Sequence, residues 1–186
     1  MKVLGIGGSP RQGGNTDILL KEMLRGAAEA GTETEEIYLR DLKFIPCRSC
    51  HKCNITGCCE IQDDMQPLYA KFVKADCIAL SSPIHFYGVS THTKMMIDRC
   101  QCAWAKKYIL KQSGTNNKRK GIFISAGGTK GKNLFEGAVL TVKYFFDAIC
   151  FAYSKELLVR SIDTKGEINN HPDIMKEAYE LGKIIL

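Results

Sequence analysis

Lys2-Val3-Leu4-Gly5-Ile6-Gly7-Gly8-Ser9-Pro10-Arg11-Gln12-Gly13-Gly14-Asn15-Thr16 reads as a short apolar strand, a glycine-rich turn and the start of a helix. Val3, Leu4 and Ile6 give the strand, over Lys2–Ser9, the short apolar run of a buried sheet position. Gly13-Gly14 punctuates the turn. From Thr16 to Ala30 the period changes. Ile18, Leu19, Met23 and Ala27 lie near one helical face, and Gly31 stands where a left-handed stop is favoured.

The same unit recurs along the chain. Thr34–Leu39 predicts a second strand, Cys77–Ser81 a third, Ile122–Ser125 a fourth and Glu156–Ser161 a fifth. Helical patterns fall between them, over Asp63–Val73, about 90–112 and Leu134–Cys150. Leu134, Ala138, Val142, Phe145 and Ile149 recur at steps of four, four, three and four, as one helical face requires. Asp63 and Asp64 suit the positive end of a helix dipole. Pro172 opens a last helix at a position where its missing N–H costs little, with Ile174, Ala178, Leu181 and Ile185 as the apolar stripe. Strands alternating with helices predict a parallel sheet covered on both faces. Right-handed crossovers restrict it to doubly wound forms, and five strands fit the flavodoxin-like order 2-1-3-4-5. This α/β fold holds a ligand at the carboxyl ends of strands 1 and 3. The expectation is a single domain over 1–186, with a cysteine-rich loop at about 42–62.

Composition agrees. With 186 residues, 45% of them apolar and 25% charged, the chain can bury a core without disulfide staples. No apolar run approaches the roughly 18 residues of a membrane span. The short apolar start lacks a small-residue cleavage site, so a cytoplasmic protein is expected. A net charge of +6 favours an anionic ligand at most. The basic stretch Lys106–Lys120, including Lys118-Arg119-Lys120, reads as a solvated helix end and loop. No nucleic-acid motif accompanies it, so neither nucleic acid nor membrane is an expected partner.

Three loops at strand ends carry candidate chemistry. In Gly8–Thr16, backbone N–H groups and a helix N-terminus suit a phosphate, and Ser9, Arg11, Asn15 and Thr16 can add side-chain hydrogen bonds. Ser82-Pro83-Ile84-His85-Phe86-Tyr87-Gly88 offers surface for a flat heteroaromatic ring. Ser125-Ala126-Gly127-Gly128 permits close backbone approach. Gly5-x-Gly7-x-x-Pro10 lacks the third glycine of a dinucleotide fingerprint, and Gly127-x-x-x-Gly131-Lys132-Asn133 is not a P-loop.

Nine cysteines are the compositional anomaly, and Cys47, Cys50, Cys53, Cys58 and Cys59 fall within thirteen residues. Three thiolates three residues apart can wrap one cluster, with Cys58 or Cys59 closing it, which is the logic of [4Fe–4S] ligation. Zinc competes, but its sites usually come as two separated pairs. Cys47-x-x-Cys50-His51 also spells a c-type haem attachment, which belongs to exported proteins and leaves the other cysteines unexplained. Cys77, Cys100, Cys102 and Cys150 read as small buried hydrophobes.

Gly8-Ser9-Pro10-Arg11…Asn15-Thr16, Cys47-x2-Cys50-x2-Cys53…Cys59-x-Ile61-x-Asp63-Asp64-Met65, Ser82-Pro83-Ile84-His85-Phe86 and Lys94…Asp98-Arg99 together resemble the iron–sulfur flavoprotein branch of the NADPH-dependent FMN reductase family. The resemblance implies a flavodoxin-like fold, noncovalent FMN, a [4Fe–4S] cluster close to it, and a homodimer or homotetramer. It places Ser9, Arg11, Asn15 and Thr16 on the FMN phosphate. Pro83, Ile84, His85 and Phe86 would line the isoalloxazine, with Ser125, Ala126, Gly127 and Gly128 approaching it. Cys47, Cys50, Cys53 and Cys59 would hold the cluster, Cys59 keeping the family spacing to Asp63-Asp64-Met65. His85 stands where the family often has Tyr.

The function expected is an oxidoreductase moving electrons between FMN and the cluster, with NAD(P)H, quinone or ferredoxin as candidate carriers and no acid–base catalyst. A cluster-free NAD(P)H-dependent FMN or quinone reductase is the alternative. A zinc-stabilised, non-enzymatic regulatory module is the second.

Overall fold

The structure is a computed structural model that describes residues 1–112 and 119–185. Six strands form one sheet: β1 (Lys2–Gly7), β2 (Glu33–Tyr38), β3 (Cys77–His85), β4 (Gly88–Val89), β5 (Lys120–Gly127) and β6 (Ala152–Arg160). Their order is β2-β1-β3-β5-β6, all parallel, with β4 folded back antiparallel on the end of β3. This corrects the expected five-strand sheet.

The difference arises in β3, which continues past Ser81 to His85. Its pairing with β5 extends through Ser82↔Ser125 and Pro83↔Ala126. Two serines ended the apolar signal, yet both are fully buried. The Ser81 hydroxyl donates to the Ile6 carbonyl (3.5 Å), and the Ser82 carbonyl accepts from the Ser125 hydroxyl (2.7 Å). Once satisfied in this way, buried hydroxyls cost little.

The strands alternate between two apolar layers. Val3, Cys77, Ala79, Ile122, Ile124, Leu157 and Val159 face α1 (Asn15–Glu29) and a C-terminal helix, Pro172–Lys183. Leu4, Ile6, Ile78, Leu80 and Phe123 face the opposite layer, formed by α3 (Met65–Lys74), α4 (Thr91–Arg99), α5 (Gln101–Trp104) and α6 (Glu136–Ala148), while the short α2 (Cys53–Thr56) buries no residue. The C-terminal helix is α7. Each fully buried leucine or isoleucine contributes about 1.5–3 kcal/mol, so the two layers dominate stability. Among the described residues no helix is long and apolar enough to cross a membrane.

Three local expectations change. The helical region at about 90–112 is broken: α4 ends at Arg99, α5 follows Cys100, and Ala105–Ile109 is a π-helical turn. The basic stretch is not a solvated end throughout. Half-buried Arg119 donates to the Phe72 (3.1 Å) and Ile149 (2.9 Å) carbonyls, at the C-terminal ends of α3 and α6, and lies over the Phe151 ring. Helix C-terminal carbonyls favour a cation there. Lys120 donates to the Ile185 carbonyl (2.6 Å), while Lys118 lies outside the described residues. Of the scattered cysteines, Cys77, Cys100 and Cys102 are buried, and burial pushes the Cys77 thiol up to about 12. Cys150 is only half-buried, at the C-terminal end of α6 with a left-handed φ of 63°.

Candidate functional site

The loop between β1 and α1 is built by backbone geometry and one buried ion pair. Gly13 has φ 66°, a conformation other residues adopt at a cost. At Gly8, a Cβ would meet the Thr93 hydroxyl at 1.9 Å, so only glycine lets the loop pass α4. The Ser9 hydroxyl bridges the N–H and carbonyl of Arg11, each at 3.1 Å. Asp17, buried under the loop, accepts from the Gly13 N–H (3.0 Å) and from Arg40 (2.8 Å). Arg40 also donates to the Ser9 carbonyl (3.1 Å). Burial raises the Asp17 pKa above the usual carboxylate value, and the Arg40 charge opposes the rise. Sequence reasoning missed this pair, since no local spacing connects a residue in α1 with one beyond β2.

A cavity of about 130 Å³ opens over this loop. Ser9, Arg11, Asn15 and Thr16 line one wall, Pro83, Ile84 and His85 a second, and Ala126, Gly127 and Gly128 a third. The structure therefore gathers ten of the twelve expected flavin-site residues around one space. Ser125 lies beneath, fully buried and bonded to β3, while Phe86 stands outside the lining. Ile162, Asp163 and Lys165, after β6, complete the cavity. They were not predicted, although the carboxyl end of the last strand faces the same crevice. Two predicted residues already have partners in this segment. Arg11 donates to the Asp163 carbonyl (3.1 Å); Asn15 donates to the Thr164 carbonyl (2.9 Å) and accepts from the Ile168 N–H (3.3 Å). Thr16 differs: its buried hydroxyl has no partner among the described residues.

Buried hydroxyls hold the walls in register. The Ser90 hydroxyl, which caps α4 by accepting from the Thr93 N–H (3.2 Å), donates to the Gly8 carbonyl (2.5 Å). Its own N–H donates to the Ser82 hydroxyl (2.9 Å). At the rim, Phe86 and Tyr87 form the turn between β3 and β4, with φ 49° and 62°. Both central positions of such a turn favour Asn or Gly, so aromatic side chains cost about 1 kcal/mol each. Phe86 is nonetheless fully exposed.

The cysteine loop forms a second, separate site. Cys47, Cys50, Cys53 and Cys59 line a cleft of about 600 Å³ walled by α4, α5 and α6. Cys100 and Cys102 also reach it, as do Trp104 and Tyr144. Cys58 is absent from this cleft; with Cys59 it lines a cavity of about 400 Å³ behind the loop. Burial raises the Cys53 thiol pKa, with smaller contributions from Cys47, Cys50 and Cys59. Ser49 and His51 hold left-handed φ values of 51° and 58°, turning the chain on either side of Cys50. Among the described residues, no three His, Cys, Asp or Glu side chains are placed to hold one metal ion.

Residues 1–147 match the family described as NADPH-dependent FMN reductase. The chain belongs to that family. This FMN reductase-family chain is 48% identical over 99 residues to an iron-sulfur flavoprotein of Methanocaldococcus jannaschii, covering 53% of the chain and 51% of the relative. It is 32% identical over 130 residues to an iron-sulfur flavoprotein of Methanosarcina thermophila, covering 70% and 65%. An Archaeoglobus fulgidus iron-sulfur flavoprotein is 33% identical over 141 residues, covering 75% and 69%. The chain thus spans about half the length of the first relative and just under two thirds of the second. In fold it is similar to an NAD(P)H:quinone oxidoreductase from Methanothermobacter marburgensis, with TM-score 0.74, 14% identity and coverage of 100% and 99%. A flavodoxin from the domain Archaea aligns with TM-score 0.57, 15% identity and coverage of 100% and 96%.

Proposed function

We propose that this chain is a flavoprotein oxidoreductase, a single domain that binds FMN in the cavity at β1, β3 and β5 and a [4Fe–4S] cluster in the cysteine cleft. The observation that carries the flavin site is the unpartnered, buried Thr16 hydroxyl at the N-terminus of α1. A phosphate there would receive that hydroxyl and the Asn15 and Thr16 N–H groups, which precede the first intrahelical bonds to the Gly14 carbonyl. About 130 Å³ takes the phosphate end rather than a whole flavin, since cofactor sites usually run to several hundred Å³. The ring would then lie over the Pro83–His85 rim, beside the exposed Phe86.

The cysteine cleft fits a cluster. Four thiols surround one space without converging on a single point, which suits a four-iron cluster, held by four thiolates, better than one tetrahedral ion. Cys59 lines this cleft and Cys58 does not, which favours Cys59 as the fourth ligand. When bound, FMN supplies two-electron hydride acceptance with release of single electrons, and the cluster supplies one-electron transfer. The chain's own residues bind and orient. Arg11, Thr16 and the α1 N-terminus would hold the phosphate, and Ser82, Ser90 and Ser125 keep the three loops in place. NAD(P)H is the proposed donor, in keeping with the family description, and a quinone or ferredoxin the proposed acceptor. A homodimer or homotetramer is the proposed assembly.

The deciding experiment is a visible spectrum of anaerobically purified protein, with FMN, iron and zinc quantified on the same sample. One FMN and about four irons per chain are expected. Flavin without iron would replace the proposal with a cluster-free NAD(P)H-dependent FMN or quinone reductase. Stoichiometric zinc without flavin would replace it with a non-enzymatic module.

A further inference from the structure

The cysteine loop leaves the body of the protein at Ile45 and returns at Ile61, and one buried guanidinium meets both ends. Arg99, the last residue of α4, is only 1% exposed. It donates to the Ile45 carbonyl (2.8 Å) on the outgoing leg and to the Ile61 carbonyl (3.4 Å) on the returning leg. It also forks onto Asp63, at 2.6 and 3.0 Å. Asp63 accepts from the Ile45 N–H (3.2 Å), so the carboxylate too spans both legs. Its neighbour Asp64 accepts from the Lys43 N–H (2.6 Å). Gln66 adds a side-chain amide that donates to the Cys59 (3.1 Å) and Ile61 (2.7 Å) carbonyls.

A buried Arg–Asp pair is a poor source of stability, because desolvation cancels most of its attraction, so its value lies in geometry. The geometry here is specific. Gln66 holds the Cys59 backbone from α3, while the Thr56 hydroxyl donates to the Cys58 carbonyl (3.1 Å) and accepts from the Cys58 N–H (3.2 Å). Cys59 reaches the cleft and Cys58 does not. A loop whose ends are already joined loses less chain entropy when its thiols are gathered.

We propose that Arg99, Asp63 and Gln66 form a positioning clamp that closes the cysteine loop in the metal-free protein and presents Cys59 beside Cys47, Cys50 and Cys53. The inference rests on the cluster reading above. None of the three is a ligand; they act through the loop backbone.

The test compares the wild-type chain with Arg99→Met, Arg99→Lys and Gln66→Ala, each reconstituted anaerobically with iron and sulfide. Bound FMN is measured throughout as the check on folding. Arg99→Met is expected to keep FMN, take up less than half the wild-type iron and lose it to a chelator at least tenfold faster. Arg99→Lys, which retains the charge and one donor direction, falls between. Gln66→Ala, at a partly exposed position, keeps its iron but shows an altered electron paramagnetic resonance spectrum of the reduced cluster. It decides the matter if Arg99→Met does not fold. Wild-type iron, release rate and spectrum in the folded variants overturn the clamp. A wild-type protein that takes up no iron overturns the cluster reading instead. The clamp is then judged by limited proteolysis of residues 46–60 without metal, where equal cleavage rates in wild type and Gln66→Ala refute it.

Discussion

At the residue scale, the proposed phosphate site turns on Thr16. Its hydroxyl is buried and unpartnered among the described residues, which costs free energy in the cofactor-free protein. A bound phosphate would remove that cost and add a charge-assisted hydrogen bond of about 1.5–3 kcal/mol. Thr16→Val keeps the shape and deletes the hydroxyl, so its two effects have opposite signs. The apoprotein is expected to melt at the same temperature or higher, while the FMN Kd rises about tenfold to a hundredfold. Thermal melts and a flavin fluorescence titration check both, and an unchanged Kd would remove Thr16 from the phosphate site. The place of Thr16, at the start of α1 and in the cavity wall, was legible in the sequence because turn, helix start and hydroxyl lie within nine residues. The Asp17–Arg40 pair beneath was not, because its partners lie 23 residues apart and meet only once β2 is laid beside β1.

Among the elements, β2 is the sheet edge beside β1, and its charges guard it. Glu33, Glu35 and Glu36 alternate poorly with apolar residues, a pattern that discourages pairing with a second chain. Glu35 also ties the strand down. It receives hydrogen bonds from Lys71 of α3 and from Lys2 of β1 (3.0 Å), and these hold its pKa below the usual carboxylate value. A depressed acid stabilises the fold above its unfolded pKa of about 4.3 and ceases to as pH falls through the lower folded value. Glu35→Gln is therefore expected to lower Tm near neutrality and to match wild type well below pH 4. Solvent screening limits the gap to about 1 kcal/mol, roughly 2–4 °C. Tm measured from pH 3 to 7 decides it, and a gap that persists at pH 3 would show that packing, not charge, links Glu35 to α3. The strands were legible where apolar runs were unbroken, as at Val3–Ile6 and Cys77–Leu80. The end of β3 was not, because its hydroxyls are satisfied by neighbours no local pattern names.

At the scale of the whole molecule, the two candidate sites share no lining residue. The parallel topology made the first legible, since it sends loops from β1, β3 and β5 to one crevice. The second depended on how α4 and α6 wall the cysteine loop, which sequence spacing does not state. One element joins them. The N-cap of α4, Ser90, bonds the loop after β1, and its last residue, Arg99, holds the base of the cysteine loop. Nine helical residues span about 13 Å, so the helix fixes one site relative to the other without mixing their contacts. Independence follows as a measurable consequence. Cys50 is exposed and contributes nothing to either apolar layer, so Cys50→Ser should fold normally. The variant is expected to bind FMN at wild-type stoichiometry, to contain no [4Fe–4S] cluster, and to have its flavin reduced by NAD(P)H at the wild-type rate under anaerobic conditions. Iron retained at the wild-type level would refute the ligand assignment. Loss of FMN together with iron would show instead that the two cofactors support each other, either across the 13 Å of α4 or across a contact between subunits.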